Sequence, residues 1–145
     1  MIDLRLSRRF DAAPERVFDA WTDPALLRRW WAAQPDWDSP AAEADARPGG
    51  RYRLSMTDTS SGVTHTVAGE YVEVARPERL VYTWQWEDMP NASDTRVTVE
   101  FHPDGDGTRV ELHQTGFSSD EDRDQHAHGW NGCLDNLDRR IFATA

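Results

Sequence analysis

Apolar residues recur along this chain with two periods, and the change from one to the other marks out its elements. Leu4, Leu6 and Phe10 share one side of an alternating segment whose other side carries Arg5, Ser7 and Arg9, the pattern of a half-buried strand. Pro14 then suits the first turn of a helix holding Val17, Phe18 and Trp21. Asp23 and Pro24 restart the pattern as cap and first residue of a second short helix, with Leu26, Leu27, Trp30 and Trp31 on its apolar side. Residues 32–41, with Pro35 and Pro40, read as loop, and 43–47 as a short polar strand. Residues 48–50 (PGG) read as a hairpin turn with positive φ available at both glycines. Alternation returns at Tyr52, Leu54 and Met56, turns at 58–62, and runs again over 64–74 until 76–78 end it. The clearest case is 80–86, where Leu80, Tyr82, Trp84 and Trp86 oppose Val81, Thr83 and Gln85. After a loop at 88–94 come Val97, Val99 and Phe101, a tight turn at 104–107, and Val110 and Leu112 with Arg109, Glu111 and His113 outside.

From residue 120 onward the period changes. Ala127, Trp130, Leu134, Leu137 and Ile141 are 3, 4, 3 and 4 apart, one stripe on a helix of about six turns. Asp122, Asp124, Asn131, Asp135, Asp138 and Arg139 fall between them and belong in water, and Ser118, Ser119 or Asp120 can cap the start. Gly129 and Gly132 flank Trp130. Each costs roughly 1 kcal/mol against Ala in a helix interior. Either another backbone approaches closely there, or room is kept for something bound beside Trp130.

The predicted order is one strand, two short helices, six strands and a long helix. Short connections make the sheet antiparallel. One face of such a sheet must be covered, and only the last helix is long enough to cover it. A curved sheet around one helix leaves a gap, closed at one end by the short helices. The fold class is α+β, with residues 1–145 as a single domain.

Composition narrows this further. No apolar run approaches the roughly 18 residues of a membrane span, and the first residues lack the apolar region of a signal peptide. The single Cys133 forms no internal disulfide and reads as a small buried residue. A soluble, cytoplasmic protein is expected. The net charge of −10, with no Lys, argues against binding a phosphate backbone, so neither nucleic acid nor membrane is an expected partner. Seven Trp in 145 residues are the unusual feature, because each buries a large ring and needs a partner for its N–H.

Several stretches together carry a family resemblance. They are residues 10–18 (FDAAPERVF), 20–24 (AWTDP) with Leu27 and Trp30, 47–52 (RPGGRY), 69–71 (GEY), 77–84 (PERLVYTW), 107–110 (GTRV), and Gly129 and Trp130 with Leu134 and Leu137. In this order and spacing the chain resembles the Hsp90 ATPase activator homologue family within the helix-grip (Bet v 1-like, START-like, SRPBCC) superfamily. The resemblance implies a curved antiparallel sheet wrapped around a long C-terminal helix, with a hydrophobic pocket between them. It also brings in chaperone interaction through the family name. The chain leaves no room for the separate N-terminal domain with which the eukaryotic co-chaperone also engages Hsp90.

Candidate chemistry is sparse. His126 and His128 are two apart on a helix and cannot chelate one ion, and His65, His102 and His113 lie on different strands with no spaced acidic partner. No metal or cofactor is expected. Glu70, His113 and His126 are the candidates for an acid or base. Arg47, Arg51 and Arg53 flank the Gly-Gly turn, where they pair with acidic surface or meet a ligand carboxylate. The aromatic set is more suggestive. The expected cavity lining is Trp30, Trp31, Tyr52, Leu54, Tyr82, Trp84, Trp86, Val99, Phe117, His126, Trp130 and Leu134, with a plain core as the alternative for each. The leading expectation is a monomer or homodimer that binds a small hydrophobic molecule. A polyketide cyclase or aromatase-like enzyme on the same scaffold, and a protein-interaction module, are the alternatives.

Overall fold

The computed structural model describes residues 2–89 and 94–143, so residues 90–93 of the loop expected at 88–94, and the last two residues of the expected final helix, lie outside the described residues. The strands are β1 (Ile2–Phe10), β2 (Asp38–Ala44), β3 (Arg51–Thr57), β4 (Thr64–Ala75), β5 (Arg79–Trp86), β6 (Thr95–Asp104) and β7 (Gly107–Phe117). Two short helices, α1 (Pro14–Thr22) and α2 (Pro24–Trp30), follow β1, and α3 (Asp120–Leu137) follows β7. The strands form one antiparallel sheet in the order β1-β7-β6-β5-β4-β3-β2. β1 pairs with the last strand rather than with β2, because the α1–α2 excursion carries the chain to the opposite edge. This is the helix-grip architecture.

Local chemistry accounts for the helix ends. Asp23 accepts from the Ala25 N–H at 2.9 Å at the start of α2, with Pro24 in its first turn. Ser119 accepts from the Asp122 N–H at 3.1 Å at the start of α3, where Asp120, Glu121 and Asp122 meet the positive end of the helix dipole.

Three expectations need correction. β2 begins at Asp38 and contains Pro40, inside the stretch expected to be loop, and ends before 45–47. It is an edge strand with a register shift between Asp38 and Ala41, where the missing N–H of proline breaks no ladder. Of the glycines in the 48–50 turn, only Gly49 has positive φ (85°). Gly50 is required for another reason, since a Cβ there would overlap the Asp45 carbonyl oxygen. Third, α3 passes into a π-helical turn over Asp138–Phe142, and its buried face is wider than the stripe. Ala127 is only half-buried, whereas Cys133 and Asn136 are buried beside Trp130, Leu134, Leu137 and Ile141. The extra width arises because α3 meets the segment after α2 as well as the sheet. Asn136 donates to the carbonyls of Ala32 (2.8 Å) and Gln34 (2.9 Å) in that segment.

The two glycines of α3 have different causes. A Cβ on Gly132 would overlap the Ala33 carbonyl oxygen, whereas nothing lies within 4 Å of one on Gly129. The close approach and the open room are thus both present, one at each glycine.

Buried polar groups tie the layers together. Trp130 Nε1 donates to Gln114 Oε1 (2.8 Å), and Gln114 Nε2 donates to Thr95 Oγ1 (2.7 Å), which links α3, β7 and β6. Trp21 Nε1 donates to the Tyr82 hydroxyl (3.2 Å), joining α1 to β5. Thr108 donates to the Ala12 carbonyl at 2.7 Å. Among the described residues no helix is long and apolar enough to cross a membrane.

Gly132→Ala is expected to lose about 1–3 kcal/mol, because backbone must shift to admit the methyl group. Gly129→Ala is expected to gain up to about 1 kcal/mol from helix propensity. Gln114→Leu is expected to cost about 1–3 kcal/mol, because the buried Trp130 N–H loses its acceptor. Urea unfolding of the three variants against the parent checks all of these.

Candidate functional site

A cavity of about 800 Å³ lies between α3 and the β3–β5 side of the sheet. Five Trp wall it: Trp31 at the end of α2, Trp37 in the following loop, Trp84 and Trp86 on β5, and Trp130 on α3. The rings brace one another, edge to face in three contacts and tilted between Trp84 and Trp130. Trp84 meets Trp31 at 5.7 Å between centroids, Trp86 at 5.4 Å and Trp130 at 5.3 Å, and Trp31 meets Trp130 at 5.4 Å. Met56, His65, Met89, Ala33, Gln34 and Cys133 complete the wall, and Gly129 leaves it open. Glu121, Asp124, Gln125 and His128 are exposed lining residues, so the mouth runs along the first half of α3.

Of the twelve residues expected around such a cavity, Trp31, Trp84, Trp86, His126 and Trp130 line it. The other seven do not. Trp30 is fully buried, with Nε1 donating to the Ala20 carbonyl at 2.8 Å. Tyr52, Leu54 and Tyr82 border a separate void of about 10 Å³, shared with Trp21, Leu27, Trp31 and Tyr71. Val99 and Leu134 are core residues, and Phe117 packs on the His126 ring at 5.0 Å. The physical cause is the first helix pair. α1 drives Trp21 and Phe18 onto Phe101 (5.8 and 5.3 Å) and Trp21 onto Tyr82, which fills the sheet's inner face at that end. Strand alternation identifies the inner face but not which part of it a helix has already filled.

Other lining residues escaped the reading for definable reasons. Trp37 is in a loop and has no period. His65 is legible only through pairing. Met56 is its cross-strand partner, and Val67, two residues on, pairs with Trp86, so all three side chains meet on one face.

The polar groups of the wall are arranged unequally. His126 Nδ1 donates to the Asp122 carbonyl (2.8 Å), and its Nε2 accepts from Trp86 Nε1 (2.9 Å), so both ring nitrogens are in use. His65 Nδ1 lies 2.9 Å from Asp88 Oδ2, while Asp88 Oδ1 accepts from the Thr66 N–H at 3.1 Å. Burial pushes the Asp88 carboxyl up, but the bonds from His65 and Thr66 outweigh it and hold the group below its usual range. The His65 ring stacks on Trp37 (6.1 Å, 26°) and meets Trp86 edge-on (6.3 Å). Trp31 and Trp84 leave their buried ring N–H groups without a partner among the described residues. Burial pushes the Cys133 thiol up to about 12, which keeps it protonated and unreactive.

The three strand histidines, expected to have no spaced acidic partner, each meet a carboxylate through the fold. His65 has Asp88, His113 has Asp3 at 2.8 Å, and His102 has Glu111 at 3.3 Å. These partners come from cross-strand pairing or from a following loop, not from local spacing. Glu100, His102 and Glu111 place one ligand atom each within 4.8 Å of one another on the outer face, but Arg79 (2.8 Å) and Arg109 (3.2 Å) already engage the two carboxylates. Glu70 is exposed, and His113 faces away from the cavity with Asp3. Arg47 and Arg53 pair with Asp45 (2.8 Å) and Glu87 (3.0 Å), the acidic-surface role.

Solved structures of other proteins share this architecture. A protein of Chromobacterium violaceum is 30% identical with a TM-score of 0.85, the match covering 94% of each chain. The AHSA1 protein of Silicibacter pomeroyi is 29% identical with a TM-score of 0.84 and 97% of each chain covered. An AHSA1-like protein of Aeromonas hydrophila is 28% identical with a TM-score of 0.79, covering 97% of this chain and 92% of that one. No curated protein sequence matches the chain. The family model described as "Activator of Hsp90 ATPase homolog 1-like protein" matches residues 11–141, and the chain belongs to that family.

Proposed function

We propose that this protein binds a flat, uncharged, largely apolar small molecule in the cavity between α3 and the sheet. The observation that carries the reading is the cavity of about 800 Å³ walled by five Trp. Its size is within the roughly 300–1,000 Å³ of small-molecule sites, which are mostly apolar with a few placed polar groups. Burial of ligand surface at about 25 cal/mol per Å² supplies the driving force. Charge narrows the class. No Arg is among the described residues that line the cavity, while Glu121 and Asp124 stand at its mouth. An anion would enter against these carboxylates and find no cation inside, so neutral aromatics are favoured over fatty acids.

The interaction-module reading needs a contiguous exposed apolar patch. Among the described residues the large exposed apolar side chains are Val63, Val72 and Met89, in three separate segments. This favours the internal cavity.

A matched pair of probes tests the reading. N-phenyl-1-naphthylamine is expected to bind saturably, with energy transfer from Trp, and at least about tenfold more tightly than 8-anilino-1-naphthalenesulfonate, which adds one anionic group to nearly the same rings. No saturable binding of the neutral probe by folded protein, or a preference for the sulfonate, would overturn it. Gly129→Leu, which fills the open wall while keeping the helix, is expected to weaken the neutral probe by about tenfold with little change in unfolding midpoint.

A further inference from the structure

Two imidazoles line the cavity, and they differ in what their second nitrogen can do. In His126 both nitrogens are committed, to the Asp122 carbonyl and to the Trp86 N–H. In His65 the Asp88 carboxylate accepts from Nδ1–H, so the lone pair of the neutral ring belongs to Nε2. That Nε2 has no hydrogen-bond partner among the described residues, on a half-buried side chain that lines the cavity. Asp88 is itself fixed by the Thr66 N–H, and the His65 ring is clamped between Trp37 and Trp86. An imidazole with a carboxylate on one nitrogen, a second nitrogen left without a partner among the described residues, and an apolar chamber that the same ring lines are the components of general-base catalysis.

We propose that Asp88 and His65 form a proton-transfer dyad acting on a flat molecule with a weakly acidic C–H bond held in the Trp-walled cavity. This rests on the cavity reading above and adds an activity to it. The reaction class is isomerisation. His65 Nε2 takes a proton from one carbon, the C–H electron pair shifts the neighbouring double bond, and the imidazolium returns the proton to a second carbon. Substrate and product have the same formula, and no oxidant, reductant or co-reactant enters. His65 is the catalytic residue and Asp88 the positioning residue. The other titratable groups bordering the same space among the described residues, Glu121, Asp124, His126, His128 and Cys133, all come from α3. The two carboxylates among them are the competing bases that a test must separate.

The probe is 5-nitrobenzisoxazole, a flat neutral molecule. Removal of its ring C–H proton sends the electron pair into a carbon–nitrogen triple bond, breaks the N–O bond and leaves a coloured cyanophenolate. Wild-type protein is expected to turn it over faster than free imidazole at equal concentration. His65→Gln is expected to lower kcat by at least about tenfold with KM within about twofold, because the aromatic walls remain. Asp88→Asn is expected to lower kcat less and to move the midpoint of the kcat–pH profile to lower pH, since the amide no longer stabilises the imidazolium. A purely structural Asp88 would leave that midpoint in place. Equal rates in wild type and His65→Gln would assign the proton transfer to the α3 carboxylates and overturn the dyad. So would an absence of turnover in protein that still binds N-phenyl-1-naphthylamine, which leaves the cavity reading standing. Loss of both turnover and probe binding would overturn both.

Discussion

The hydrogen bond from the Trp130 ring to Gln114 is the contact on which the rest of the architecture depends. It is buried, it joins α3 to β7, the strand next to the β1 edge, and Gln114 passes it on to Thr95 one strand further in. A polar side chain with no exposed surface is tolerated only if its groups are paired, so this chain permits one seating of the helix and penalises others. Gly132 sets how close the helix comes to the segment after α2, and Asn136 locks that distance through two backbone carbonyls. With α3 seated, Trp130 becomes the hub of the aromatic wall, against Trp21 at 6.2 Å, Trp31 at 5.4 Å and Trp84 at 5.3 Å.

The same seating divides the space under the sheet into two halves with different fates. Where α1 and α2 press in, Trp21, Phe18 and Trp30 fill it, and the tyrosines Tyr52, Tyr71 and Tyr82 are packed so tightly that burial pushes all three phenol groups upward. Where the first half of α3 runs past β5, none of the described residues fills it. Gly129 and the small side chains of Ala33 and Cys133 keep it open, and the surrounding indoles support one another instead of a core. Leaving two indole N–H groups of that wall without a partner among the described residues costs stability, a pattern more readily understood in a site than in a core.

Membership of the family establishes the scaffold and leaves the task to the site, because one helix-grip fold serves many tasks. What individualises this chain is therefore local. Under the proposed function, five indoles, an imidazole held by a carboxylate, and acidic groups at the mouth set the ligand's shape and charge in ways that the fold alone does not.

The order of elements, the antiparallel sheet, the amphipathic final helix and the 118–120 stretch that caps it were legible because each is written in local period and capping chemistry. The resemblance of residues 10–18, 47–52 and 77–84 to one family pointed the same way. Five of the twelve residues expected around a cavity do surround one, and all five are aromatic. What the sequence could not separate was cavity from core among inward-facing residues. Tyr82 and Trp84 are neighbours on the same face of β5, yet one lies under α1 and the other beside open space. Nor could it supply the pairing of His65 with Asp88, 23 residues apart, or the difference between Gly129 and Gly132. Periodicity reports which way a side chain faces. What it meets there depends on where helices arrive from distant parts of the chain, and that is decided only when they pack.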